Sequence, residues 1–162
     1  DGRRIQKGDV LIGLASTGLH TNGYSLARAA LLEKFTVDSY IDELGKTIGE
    51  ALLEIHKSYL NPVHALAEDG LLTGISHITG GGIVGNTSRI IPDGLSMKID
   101  WDSWEIPSIF ELIQKTGEVD TEEMRRVFNM GIGMVLISEK EKADVVLEKC
   151  YSEKAVVMGE IA

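Results

Sequence analysis

The chain has 162 residues, the size of one ordinary domain, and its 43% hydrophobic and 25% charged residues allow a buried core without disulfides or structural metals. A formal net charge of −9 argues against nonspecific nucleic-acid binding and against docking on an anionic membrane, both of which draw on clustered Lys and Arg. The single cysteine, Cys150, rules out an internal disulfide, fits a reducing cytoplasmic compartment, and is expected to be buried as a small apolar residue.

Asp1 rather than Met opens the chain, which runs almost at once into a strand, so a domain of a longer protein is expected. Asp9-Val10-Leu11-Ile12-Gly13-Leu14-Ala15 is a short apolar run of the buried-strand kind. Residues 16–23 break all periodicity, and Asn22 is expected to cap a helix that continues to about Lys34. A polar connector over 36–46 leads to a second helix over about 47–59, and a third helix starts near Asn61, with Pro62 in its first turn. Ile75-Ser76-His77-Ile78 is extended and enters Thr79-Gly80-Gly81-Gly82, after which a helix over about 83–90 is expected.

Residues 95–99 alternate as a strand does, and Trp101 and Trp104 are expected to pack as an apolar flap. Pro107 opens a helix that Gly117 ends, and Thr121-Glu122-Glu123 opens another. The turn Phe128-Asn129-Met130-Gly131-Ile132-Gly133 feeds a strand over 134–137. Ser138 is read as the cap of a helix to Cys150, and a last strand covers about 155–161. Strands and helices alternate throughout, so the class is α/β or α+β, one domain with helices covering a small sheet.

Two segments carry the marks of chemistry. Ser16-Thr17-Gly18-Leu19-His20-Thr21-Asn22-Gly23-Tyr24-Ser25 lies between a strand and a helix, where unpaired N–H groups, close-approach glycines and several hydroxyls describe an anion site. It has neither the Gly-Lys-Ser/Thr of a P-loop nor the glycine spacing of a dinucleotide fingerprint. His77-Ile78-Thr79-Gly80-Gly81-Gly82 repeats the logic, and the histidines of the two turns, His20 and His77, are the candidate acid, base or phosphate-contacting groups. His56 and His64 fall on expected helices and read as structural. The turn at Asn129 to Gly133 reads as close packing against a strand. No Cys cluster and no His-x-x-x-His pair supports a metal site, and the acids at 100, 102, 105, 120, 122 and 123 read as helix starts and solvated surface.

The run Gly8-Asp9-Val10-Leu11-Ile12-Gly13-Leu14-Ala15-Ser16-Thr17-Gly18-Leu19-His20-Thr21-Asn22-Gly23-Tyr24-Ser25-Leu26, followed in order by His77-Ile78-Thr79-Gly80-Gly81-Gly82 and by the stretches at 89–93, 104–110 and 128–134, resembles the C-terminal domain of the phosphoribosylformylglycinamidine cyclo-ligases, also called aminoimidazole ribonucleotide synthetases. The resemblance spans essentially the whole chain. It implies a three-layer domain with a central mixed sheet, forming the second half of a two-domain subunit. It also implies a reaction of de novo purine synthesis. ATP activates the formyl amide oxygen of formylglycinamidine ribonucleotide, a nitrogen of the amidine closes the imidazole ring, and magnesium is required.

In such enzymes the missing N-terminal domain holds most of the ATP site, the metal-binding acids and the homodimer contact. This half would line one wall of the groove and would be inactive alone. Carried over residue by residue, the resemblance implies His20 and His77 as catalytic, and Ser16, Thr17, Gly18, Thr21, Asn22, Gly23, Tyr24, Ser25, Thr79, Gly80, Gly81 and Gly82 as phosphate- or substrate-binding. Two stretches depart from the family pattern. Ile55-His56-Lys57-Ser58-Tyr59-Leu60-Asn61 stands where many members have a Pro-Thr pair and a later Lys, which raises His56 as a groove residue, and Gly85-Asn86-Thr87-Ser88-Arg89 replaces an Asn-x-Pro-Arg ending. The alternatives are a related ATP-dependent amide-activating enzyme or kinase of the same superfamily, or a noncatalytic nucleotide-binding domain.

Overall fold

The computed structural model describes residues 2–162. The apolar run forms β1 (Val10–Ala15), with Ile12 and Leu14 on one face of the sheet and Leu11 on the other. The first glycine turn delivers the chain to α1 (Tyr24–Leu32). A small hairpin of β2 (Tyr40–Ile41) and β3 (Lys46–Thr47) leads into α2 (Ile48–Leu52). There Thr47 and Glu50 form a reciprocal capping box whose side-chain oxygens accept from two N–H groups that a helix start leaves unpaired. Then follow α3 (Leu60–Glu68), β4 (Gly74–His77), α4 (Gly82–Thr87), β5 (Met97–Ile99), α5 (Ser108–Gly117), α6 (Thr121–Val127), β6 (Ile132–Ser138), α7 (Ala143–Lys149) and β7 (Val156–Ile161).

The main sheet has the order β4-β6-β1-β7-β5. The α/β class is as expected, but every pairing is antiparallel, where a mixed sheet was expected. The strands that share a direction, β1, β4 and β5, are never neighbours, because β6 and β7 are inserted between them. β6 is buried at all seven positions, as a strand covered on both faces must be. On one face Ile12, Leu14 and Leu136 pack against Leu66 of α3 and Val146 of α7, and Cys150 is buried there as expected. On the other face Leu11, Val135 and Ile137 meet Ile83 of α4 and the segment carrying Trp101 and Trp104. A third cluster joins α1, α2, α5 and α6 through Leu31, Ile48, Phe110, Ile113, Met124 and Phe128. None of the helices of residues 2–162 is long and apolar enough to cross a membrane.

Three local expectations are corrected. The helix expected over 47–59 stops at Leu52, and residues 53–59 continue as a strap without helix or strand. Anchors distant in sequence hold it: Thr17 Oγ1 donates to the Ile55 carbonyl at 2.6 Å, Lys57 Nζ pairs with Glu153 at 2.6 Å, and Tyr59 donates to the Ala15 carbonyl at 2.7 Å. Asn22 is not the cap of α1. That position belongs to Gly23 at φ 75°, while the Asn22 amide donates to the His20 carbonyl at 2.7 Å. Ser138 ends β6 rather than capping α7, and its hydroxyl donates to the Leu71 carbonyl at 2.8 Å.

Candidate functional site

A register shift between Leu14 and Ala15 ends the regular pairing of β1 with β6 and turns the chain into the first glycine turn. The backbone is left-handed at His20 (φ 51°), Thr21 (φ 62°) and Gly23 (φ 75°). For His and the β-branched Thr this conformation costs on the order of 1–3 kcal/mol per residue and persists only where the surroundings impose it. Asn129 is one such constraint. Its Nδ2 donates to the Gly18 carbonyl at 2.8 Å, and its Oδ1 accepts from Ser16 Oγ at 3.1 Å and from the Gly131 N–H at 2.8 Å. The turn read as mere close packing is thus the clamp of the first turn.

His20 is the second constraint. Its side chain is 2% exposed, and the N–H groups of Thr17 and Lys57 converge on its Nε2 at 3.0 and 3.4 Å. Nε2 is therefore the bare nitrogen, and the Thr17 hydroxyl, 2.9 Å away, shares its proton between Nε2 and the Ile55 carbonyl. Burial, with His56, His77 and Lys57 nearby, lowers the His20 pKa from 6.5 to about 4. The ring rests against Gly133, where a Cβ would lie 2.8 Å from Nδ1 and 2.2 Å from the Tyr59 hydroxyl. His20 is a neutral, walled-in imidazole.

Above it lies His56, carried by the strap. Its ring stacks on that of His20 with centroids 4.2 Å apart and planes 16° from parallel. Its Nε2 is 3.4 Å from Nε2 of His77, the exposed last residue of β4. Partial burial and the neighbouring His56 lower the His77 pKa. Three histidines from three segments thus form a column from the core to the surface. His64 is outside the column, paired with Glu68 at 3.2 Å on α3, but it lines the same groove as His56 and His77.

The second glycine turn meets the first: a Cβ on Gly80 would lie 3.7 Å from Asn22 Oδ1. Asn86 holds this turn from within, donating to the carbonyls of Thr79 at 3.1 Å and Gly82 at 2.8 Å and accepting from Thr79 Oγ1 at 2.9 Å. Gly82 is a packing glycine, since at φ 66° a Cβ would fall 1.9 Å from the Arg125 carbonyl oxygen. Tyr24 is likewise committed to the scaffold, its hydroxyl donating to the Leu52 carbonyl. Thr21, Ser25, His77 and Gly80 are exposed, and Asn22, Thr79 and Gly81 are half-buried.

His56 and His77 line a groove of about 730 Å³ with Tyr59, Val63 and Met134. Ser16 and Thr17 open instead onto a cavity of about 680 Å³ with Lys46, Trp104 and Lys154. The two spaces share only Lys57, so His77 opens onto one and Ser16 and Thr17 onto the other, and the remaining phosphate-binding candidates line neither. Among the described residues no group of three or more His, Cys, Asp or Glu side chains could hold a metal ion. The donor set of the described residues therefore does not fit a magnesium site.

The model of the family described as AIR synthase related protein, C-terminal domain, matches residues 6–162. The chain belongs to that family. A phosphoribosylformylglycinamidine cyclo-ligase of Pseudothermotoga lettingae is 47% identical over 163 residues, covering 99% of this chain and 48% of the relative. One from Thermoanaerobacter sp. is 48% identical over 165 residues, covering 99% and 49%. The chain thus spans about half the length of the curated relatives it matches. Among solved structures, the hydrogenase maturation protein HypE of E. coli aligns with a TM-score of 0.59 at 16% identity, over 99% of this chain and 46% of that one. PurL of T. maritima, complexed with FGAR, aligns with a TM-score of 0.56 at 19% identity, over 99% and 25%. At these identities the likeness shows the fold alone.

In this AIR synthase related domain, Asn129, Asn86 and His56 do structural work that the sequence reading weighed too low. Each asparagine sits two to five residues from a left-handed glycine, a signal that could have drawn attention to it. His56 gave none beyond its departure from the family pattern, because its neighbours come from turns 36 and 21 residues away.

Proposed function

We propose that this chain is the C-terminal half of a cytoplasmic, homodimeric phosphoribosylformylglycinamidine cyclo-ligase, and that it supplies one wall of a groove where formylglycinamidine ribonucleotide is closed to aminoimidazole ribonucleotide. The observation that carries the reading is the convergence of both glycine turns, Asn22 against Gly80 and His20 beneath His56 and His77, in a chain 47% identical to a cyclo-ligase over 99% of its length. The much lower identity to HypE and PurL, 16% and 19%, favours this member of the superfamily over its relatives.

In this reading ATP and magnesium are held mainly by the other half of the enzyme. ATP supplies the phosphoryl group that turns the formyl amide oxygen into a leaving group. The amidine nitrogen attacks the activated carbon, and the oxygen departs with phosphate. The exposed residues of the turns, with the half-buried Asn22 and Thr79, hold substrate and its phosphate through hydroxyls, amides and free N–H groups. His77 meets the reacting amide or the phosphate, and the buried His20 acts from beneath by fixing the first turn.

The test is turnover by the intact protein with formylglycinamidine ribonucleotide and ATP. We expect aminoimidazole ribonucleotide, ADP and phosphate in equal amounts. His77→Ala should lower kcat/KM by about a hundredfold, the usual scale for a lost acid–base group. The isolated 162-residue chain should show no turnover. Unchanged kcat/KM in His77→Ala, or turnover by the isolated chain, would refute the corresponding assignment.

A further inference from the structure

We propose that His56 is a positioning residue that fixes the tautomer of His77, leaving Nδ1 of His77 as the bare nitrogen presented to substrate. The inference rests on the cyclo-ligase reading for the identity of that substrate, but its geometry is independent of it.

The Thr21 hydroxyl lies 2.6 Å from the His20 carbonyl, which has no proton to give, so the hydroxyl donates there. Its oxygen can then only accept from Nδ1 of His56, a longer contact at 3.5 Å. A neutral imidazole carries one N–H. With Nδ1 of His56 protonated, its Nε2 is bare. At 3.4 Å from that bare nitrogen, Nε2 of His77 must be the donor. His77 is thereby held as the Nε2–H tautomer, and its other nitrogen keeps a free lone pair. Among the described residues the His77 ring makes no other hydrogen bond that would oppose this assignment.

The column beneath makes the arrangement rigid. His56 cannot rotate freely while stacked on His20, and His20 is gripped by the N–H groups of Thr17 and Lys57. The strap that carries His56 is anchored through Ile55, Lys57 and Tyr59. The chemistry this enables is a single proton transfer. A proton leaves the attacking nitrogen of substrate for Nδ1 of His77, the electron pair it leaves behind forms the new N–C bond, and the C–O bond to the phosphorylated oxygen breaks as phosphate departs with its electron pair. The imidazolium so formed keeps its Nε2–H directed at the bare Nε2 of His56, so the ring stays oriented through the transfer.

The experiment uses the full-length protein with 15N-labelled histidine. Ring-nitrogen correlation spectra should show His77 as the Nε2–H tautomer and His56 as the Nδ1–H tautomer. His56→Phe keeps a ring over His20 but removes the acceptor. It should give His77 a mixture of tautomers, lower kcat/KM about tenfold and displace its pH profile, with the KM for ATP unchanged. His56→Gln restores an acceptor near the Nε2 position and should recover both the tautomer and most of the activity. A wild-type spectrum with His77 protonated on Nδ1, or a His77 tautomer unaffected by His56→Phe, overturns the proposal. The wild-type spectrum decides the matter even if a variant fails to fold. The spectra need no turnover, so the expected tautomers without cyclo-ligase activity would sink the functional reading alone.

Discussion

The imidazole of His56 lies flat on that of His20, 4.2 Å between centroids, although 36 residues separate them and only His20 is fully buried. This contact joins the strap to the first glycine turn and makes the deeper ring a structural part whose protonation state matters to the whole domain.

That dependence predicts an acid-labile fold. His20 titrates near 4 in the native protein and at 6.5 as a free imidazole, so between these values the unfolded chain binds a proton that the native chain does not. Stability is therefore fully present above about pH 6.5 and is lost as pH falls toward 4, by about 3 kcal/mol in all for this group. His77, also lowered, adds in the same direction. Urea unfolding from pH 8 to pH 4 should show the decline, and a folded His20→Gln variant should show much less of it.

His20→Ala should destabilise the domain by on the order of 3 kcal/mol, because it opens a cavity and leaves the Thr17 and Lys57 N–H groups without their acceptor. Denaturant midpoints of wild type and variant check this. A loss below about 0.5 kcal/mol, the range of an ordinary surface change, would mean that the ring is not the anchor described.

Asn129→Ala removes three hydrogen bonds to the first turn and its own neighbour Gly131. A cost of roughly 2–4 kcal/mol is expected where buried partners are left unpaired. The Gly131 N–H, now bonded to Asn129 Oδ1, should exchange with solvent markedly faster in the variant.

Two glycines should answer oppositely to alanine. Gly133→Ala puts a methyl 2.2 Å from the Tyr59 hydroxyl and 2.8 Å from the His20 ring. It should cost about 1–3 kcal/mol or more as overpacking, visible as a lower Tm. Gly85 lies inside α4 with nothing within 4 Å of its would-be Cβ. Gly85→Ala should be neutral or stabilise by about 0.5–1 kcal/mol through helix propensity.

The elements legible in the sequence were those decided by neighbouring residues. The apolar run of β1, the buried β6 and the glycine-broken turns carry their signals within a few positions. The strap could not be read in that way. Leu52, Ile55 and Tyr59 have the spacing of a helix, but Thr17, Glu153 and Ala15 draw the chain out, and none of these is local. Asn22 has the composition of a helix cap, yet the left-handed backbone of the turn moves that position to Gly23 and turns the Asn22 amide back on His20. The two turns were legible as candidate sites. That His77 and Ser16 open onto different cavities was not, because the strap residue Lys57 lies at the edge of both.

The clamp from Asn129 to Ser16 spans 113 positions. Closing a loop of that length carries an entropic cost that must be met before the contact can reward it, so such contacts belong to the late events of folding. During synthesis residues 16–23 leave the ribosome long before residue 129 exists, and β6, which pairs with β1, follows later still. Until then the strained backbone at His20 and Thr21 lacks the Asn129 clamp. The first turn in the sequence is thus among the last features to acquire its shape, and every nascent chain shorter than about four-fifths of this domain carries the motif without the site.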